Sequence, residues 1–262
     1  MFCVADVQTG FGPFVAVYLT SQKWTQIDIG LILTVGGLVG LFGQIPGGIL
    51  VDRARSERLV AGLAIIAIAT SALIYASFPM FAAILLAAVV HAMASCVLGP
   101  SIAAISLGLV GHTGIAERLG RNARFASIGN GLAAATMGTF GYFFSPQAVF
   151  IVTAMLATPT LLALSQISAA EIIPDRAHGG TSATSDKSGI SFRQLLQHRA
   201  LLALGACLVL FHLANAALLP LMGTVVTTRS SEWATVLIGA CIVVPQIIVA
   251  VIAPSVSTHS RT

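Results

Sequence analysis

The sequence predicts an all-α membrane protein, and three observations carry that prediction. Of its 262 residues, 56% are apolar and only 8% are charged, whereas a soluble domain carries about 25% charge to cover its surface. Apolar runs recur along the chain, each close to the roughly 20 residues a helix needs to cross a bilayer core of about 30 Å. The basic residues sit between these runs and favour alternate loops.

Eight stretches qualify as spans: 1–20, 28–51, 58–77, 80–110, 124–144, 147–168, 200–226 and 233–254. Strands are not expected, because the runs are long and lack the period-2 alternation of an outer-membrane barrel. In the second run Gly36, Gly40, Gly43 and Gly47 recur near i+4 spacing, which lets a neighbouring helix approach closely. The longest polar stretch, 169–192, separates six spans from the last two. Its Gly, Ser, Thr and Asp content reads as a flexible linker, with a short surface helix expected from 191 to 197. The expected organisation is a six-helix bundle over 1–168, a cytoplasmic linker over 169–199 and a partial second bundle over 200–262. Such a layout suggests a two-bundle transporter.

Orientation follows from the positive-inside rule. With the N-terminus in the cytoplasm, the inner segments hold Arg53, Arg55 and Arg58, then Arg118, Arg121 and Arg124. They also hold Arg176, Lys187, Arg193 and Arg199, and finally Arg261. Of the 13 Lys and Arg, only Lys23 and Arg229 fall on the other side. Both termini are therefore expected in the cytoplasm, in a multi-pass protein of the plasma (inner) membrane.

Several function classes are excluded. The basic residues form no patch with interleaved aromatics, so the formal charge of +4 does not signal nucleic-acid binding. Cys3, Cys96, Cys207 and Cys241 lie inside apolar runs at no metal-like or disulfide-like spacing, and read as small buried side chains. The N-terminus lacks the basic region of a secretory signal. No glycine-rich loop with a Walker-type Lys is present, so ATP is not an expected partner. Neither a Ser-His-Asp set nor a metallohydrolase set is found, and the chain is not expected to be an enzyme or to hold a cofactor or a metal.

The turn after the second run reads Gly47-Gly48-Ile49-Leu50-Val51-Asp52-Arg53-Ala54-Arg55-Ser56-Glu57-Arg58. It resembles the signature between spans 2 and 3 of the major facilitator superfamily, Gly-x-Leu-x-Asp-Arg-x-Gly-Arg-Lys. Gly48, Leu50, Asp52 and Arg53 match; Arg55 replaces the later Gly, and Arg58 falls one position late. The resemblance implies that Asp52 is part of a latch between two bundles, where a carboxylate can meet a helix N-terminus and nearby Arg. A plain polar turn that stops the helix is the alternative. Three further stretches resemble drug-type or small-solute efflux members: 5–13 (ADVQTGFGP), Gly120-Arg121-Asn122, and 211–217 (FHLANAA). The antiporter motif of that family ends in Gly-Pro; Gly129 and Gly138 stand nine apart in the fifth run, with no Pro following.

Asp6 is the one acid well inside a run, roughly 8 Å deep at 1.5 Å per residue. A buried carboxylate tends to take up a proton, which makes Asp6 the candidate for proton coupling, with capping at the membrane interface as the alternative. Gly10, Gly12 and Pro13 weaken the helix just beyond it. His91, Gln8 and Asn130 are candidates for a substrate cavity, together with His212 and Asn215, which share one helix face. Gln44 and Gln246 could line the same space. Polar links between helices, about 0.6–2 kcal/mol a pair, explain these residues equally well.

The reading is a secondary transporter of a small molecule, proton-coupled and outward-directed, with the lipid bilayer as its surroundings. The chain stops at 255–262 (SVSTHSRT), where a second Asp-Arg turn is expected and none appears. It therefore reads as a truncated transporter, expected to be inactive as a lone monomer. The rival is a membrane interaction or assembly protein with no transport cycle.

Overall fold

The computed structural model describes Val4, Val7, 12–54, 56–168, Ile172, 199–216, 218–229 and 232–259. Within these residues the chain is helical throughout, with no strand. In order the helices are α1 (Gly12–Ser21), α2 (Gln26–Asp52), α3 (Glu57–Ser77), α4 (Phe81–Gly111), α5 (112–143), α6 (Ala148–Ser165), α7 (Arg199–Ala216), α8 (Leu218–Arg229) and α9 (Ala234–His259). Six helices make the first bundle; α7 with α8, and then α9, supply the first two spans of a second.

The turns explain where the helices begin and end. Lys23 takes a positive φ of 61° in the turn after α1, and Thr25 then caps α2 by accepting from the Asp28 N–H. Ser56 caps α3 in the same way through the Leu59 N–H, and each cap satisfies one otherwise unpaired amide. Gly111, at φ 68° and ψ −177°, breaks what would be one helix of 63 residues into α4 and α5, a conformation only glycine adopts freely.

α1 is the central helix of the first bundle: Phe14, Val15, Ala16, Val17, Tyr18 and Leu19 are all buried, as expected for a helix surrounded by others. Phe150 of α6 joins it to α3, with the Tyr18 and Tyr75 rings each 5.0 Å away, edge-on and stacked respectively. α2 is the opposite case, with Leu31, Leu38, Leu41, Phe42 and Ile45 exposed. Exposed apolar faces of this kind meet acyl chains in a bilayer.

Among the described residues, five helices or helix segments are long and apolar enough to cross a membrane: Gln26–Asp52, Glu57–Ser77, Phe81–Gly111, Ala148–Ser165 and Ala234–Ile252. The other three expected spans differ for local reasons. The first is described continuously only from Gly12. The seventh forms two helices, α7 and α8. The fifth begins near 112 rather than 124, because the expected Arg-rich loop is itself helical. Glu117 and Arg121 pair across one turn there at 3.1 Å, which supports an exposed helix. The expected linker over 169–192 lies outside the described residues except for Ile172, which is buried in the core.

Candidate solute pathway between the bundles

The Asp52-Arg53 turn is built from two helix ends. Asp52 is the last residue of α2, and Arg53 closes the helix with its N–H on the Ile49 carbonyl at 3.1 Å. Both side chains are exposed, Leu50 faces outward, and Gly48 is half-buried. An acid at a helix C-terminus opposes the partial negative charge of its own helix. Asp52 makes no ion pair among the described residues, so the turn holds a carboxylate presented outward. Beyond the Ser56 cap, Glu57 is buried in the first turn of α3, the end where helix charge favours an acid. Arg58 reaches across the bundle and donates from Nη1 to the Ile167 carbonyl, just past the end of α6. The late basic residue of the motif thus fastens the turn to a helix C-terminus.

Glycines set the packing of α2. A β-carbon on Gly47 would lie 2.8 Å from the Cys96 carbonyl oxygen, and one on Gly43 would lie 2.9 Å from the Cys96 sulfur. Cys96 of α4 in turn donates from Sγ to the Gly40 carbonyl at 3.3 Å. The small-residue face of α2 therefore meets α4 of its own bundle, not the second bundle.

The seam between the first six helices and α7–α9 is made by two other pairs. α8 rests on α1 at Gly223, whose β-position is 3.4 Å from Val17 and 3.6 Å from Ala16. α9 lies along α5 with backbone nearly on backbone. A β-carbon on Gly138 would be 3.0 Å from the Thr235 carbonyl oxygen and 3.6 Å from the Gly239 Cα; one on Gly239 would be 3.0 Å from the Ala134 carbonyl. Tyr142 and Trp233 close the Arg-poor end, 5.1 Å between ring centres. Toward the Arg-rich end the pair loosens, with Gly131 and Gln246 at 3.6 Å. A groove of about 390 Å³ lies beside them, lined by Ser127, Ile128, Gly131, Val243, Gln246 and Val251. On the other flank a cavity of about 370 Å³ separates α2 from α8, with Gln26, Thr34 and Thr224 on its walls. Both volumes fall within the 300–1,000 Å³ typical of small-molecule sites.

The predicted cavity residues are scattered over this frame. His91 lies in α4 and Asn130 in α5, both half-buried; His212 lies in α7 and is exposed beside the Phe211 ring. None of the three lines the groove or the α2–α8 cavity. Asp6 and Gln8 lie outside the described residues, as does the side chain of Asn215. Sequence reasoning named Gln246 but missed the Gly138–Gly239 contact, for which the only signal was a pair of lone glycines on different spans.

The Major Facilitator Superfamily model matches this chain over residues 1–262. The chain belongs to the Major Facilitator Superfamily. An uncharacterised MFS-type transporter of Mycobacterium tuberculosis, present in strains CDC 1551 / Oshkosh and H37Rv, is 37% identical over 267 residues. That match covers 99% of this chain and 63% of the relative, so the chain spans less than two thirds of the length of the curated proteins it matches. Membership places the helices in a bilayer and makes the chain part of a transporter family. The Asp52-Arg53 turn and the six-then-two arrangement are the features of the MFS fold that this chain displays.

Proposed function

We propose that the chain is part of a secondary active transporter that exports a small molecule in exchange for protons, through a pathway along the seam between its bundles. The observation that supports this most directly is the glycine-on-carbonyl contact of α5 and α9. Interlocked large side chains hold helices in one register, whereas a smooth backbone contact beside a groove lets one bundle rock on the other. On this reading 1–168 and 200–262 move as bundles joined by 169–199, Gly48, Leu50, Asp52 and Arg53 form the latch, and Asp6 carries the coupling proton. Gln8, His91, Asn130, His212 and Asn215 would contact the solute only in a conformation other than the one described, in which His91, Asn130 and His212 stand away from the groove and the α2–α8 cavity. The Arg-rich end faces the cytoplasm of an inner-membrane protein, and the driving force is an ion gradient, not ATP. The apolar lining of the groove favours hydrophobic or amphipathic solutes.

One observation favours a non-transporting assembly role: α7 leaves Leu204, Val209, Leu210, Phe211 and Leu213 exposed around its circumference, apolar surface that another membrane protein could cover. Everted membrane vesicles separate the two readings. The transport reading predicts uptake of an amphipathic fluorescent solute that depends on the pH gradient and is abolished by Asp6→Asn in a protein that still folds. Uptake unaffected by collapsing the gradient, or undiminished in Asp6→Asn, contradicts proton coupling.

A further inference from the structure

A third cavity, of about 220 Å³, lies within the first bundle at its Arg-rich end, between α4, α5, α6 and the segment at Val4. It is away from the seam, so what it binds is independent of the transport reading. Its lining combines apolar Ile102, Ile105, Leu109 and Leu164 with Arg118, Asn122 and Ser106. The polar part of the lining is built, not incidental. Asn122 is 8% exposed and donates from Nδ2 to the Ser106 hydroxyl at 3.1 Å, and Ser106 is itself 5% exposed.

Arg118 is the anomaly. Its Nε is buried and has no hydrogen-bond partner, and Arg118 forms no ion pair among the described residues. The acid next to it in sequence, Glu117, is turned outward to Arg121. A guanidinium is always charged, and a buried donor left unmade is costly. Its planar fork matches a carboxylate or phosphate, and basic pockets between membrane helices suit such groups. The apolar side chains of the same lining suit methylene groups. The volume, below that of drug-sized sites, limits the occupant to a head group and a few carbons.

We propose that this cavity binds a small amphipathic anion, a carboxylate or phosphate monoester with a short apolar segment, on the Arg118 guanidinium. Two sources offer that chemistry: the head of an anionic lipid and a free cytosolic acid. The test follows the thermal unfolding midpoint of the full chain in neutral detergent, titrated separately with hexanoate and phosphatidylglycerol. Hexanamide and phosphatidylcholine serve as neutral counterparts.

At least one anion should raise the midpoint where its neutral counterpart does not. Arg118→Gln should weaken that apparent affinity by roughly tenfold or more, the loss of a charge-assisted hydrogen bond, while Arg121→Gln leaves it unchanged. A response to phosphatidylglycerol alone assigns the site to lipid; a response to hexanoate alone assigns it to a free acid. Should Arg118→Gln fold poorly, Ala163→Phe fills the same cavity without altering charge and should remove the response. No response to either anion, or a response surviving both substitutions, overturns the proposal.

Discussion

Arg58 shows what a single side chain contributes at the turn between α2 and α3. Its guanidinium satisfies a carbonyl at the end of α6, and a charged hydrogen bond in a half-buried setting is worth about 1.5–3 kcal/mol. Arg58→Ala should lower stability by that order, read as an earlier thermal unfolding midpoint in detergent. Arg53→Ala, at an exposed position, should change it little; equal effects would mean that the Ile167 contact does not matter. The sequence already marked the turn, because Asp52-Arg53 and the Ser56 cap have local patterns. The partner of Arg58 was illegible, since it is a backbone carbonyl 109 positions away and any residue supplies one. Asp6 and Arg118 divide in the same way. A lone acid in an apolar run stands out in the sequence, whereas Arg118 looked like one more positive-inside residue until the cavity around it was visible.

At the scale of the element, small residues decide which helices touch. The glycine face of α2 was legible as a close-packing surface, but its neighbour was not. It is used against Cys96 of α4, because a periodic stripe states that something approaches and not what. On α5 and α9 the spacing gave less warning, since Gly138 and Gly239 gain meaning only from each other. Gly138→Val should drive its side chain into the Thr235 carbonyl, costing about 1–3 kcal/mol of overpacking and separating the pair. The expected result is a folded protein with a lowered unfolding midpoint and sharply reduced transport. Wild-type stability together with wild-type transport would show that the two helices do not meet as described.

Across the whole molecule the polarity of charge is the most legible feature. Arg53 and Arg58 flank the turn between α2 and α3 and Arg199 opens α7, whereas Lys23 follows α1 and Arg229 ends α8, the alternation on which the loop bias rests. Arg121 and Lys23 are both exposed, so cysteines placed there test orientation. An impermeant thiol reagent should label Lys23→Cys from the periplasmic side and Arg121→Cys only in everted vesicles; the reverse pattern would invert the topology. The seam was not legible at this scale. It depends on how two sets of helices meet across a long linker, and no local pattern encodes that.

Transport along the seam requires the seam to move, and paired cysteines measure this without knowledge of the solute. The β-positions of Gly131 and Gln246 are 3.6 Å apart across the seam, and those of Gly36 and Ala88 are 3.8 Å apart inside the first bundle. Both fall within the range of about 3.5–4.5 Å that a disulfide spans. In proteoliposomes of a variant with Cys3, Cys96, Cys207 and Cys241 replaced, each pair should cross-link under mild oxidation. An imposed pH gradient should then change the rate for Gly131→Cys/Gln246→Cys several-fold relative to Gly36→Cys/Ala88→Cys. A ratio of rates that stays constant with and without the gradient would mean a static seam, and would contradict the transport cycle proposed here.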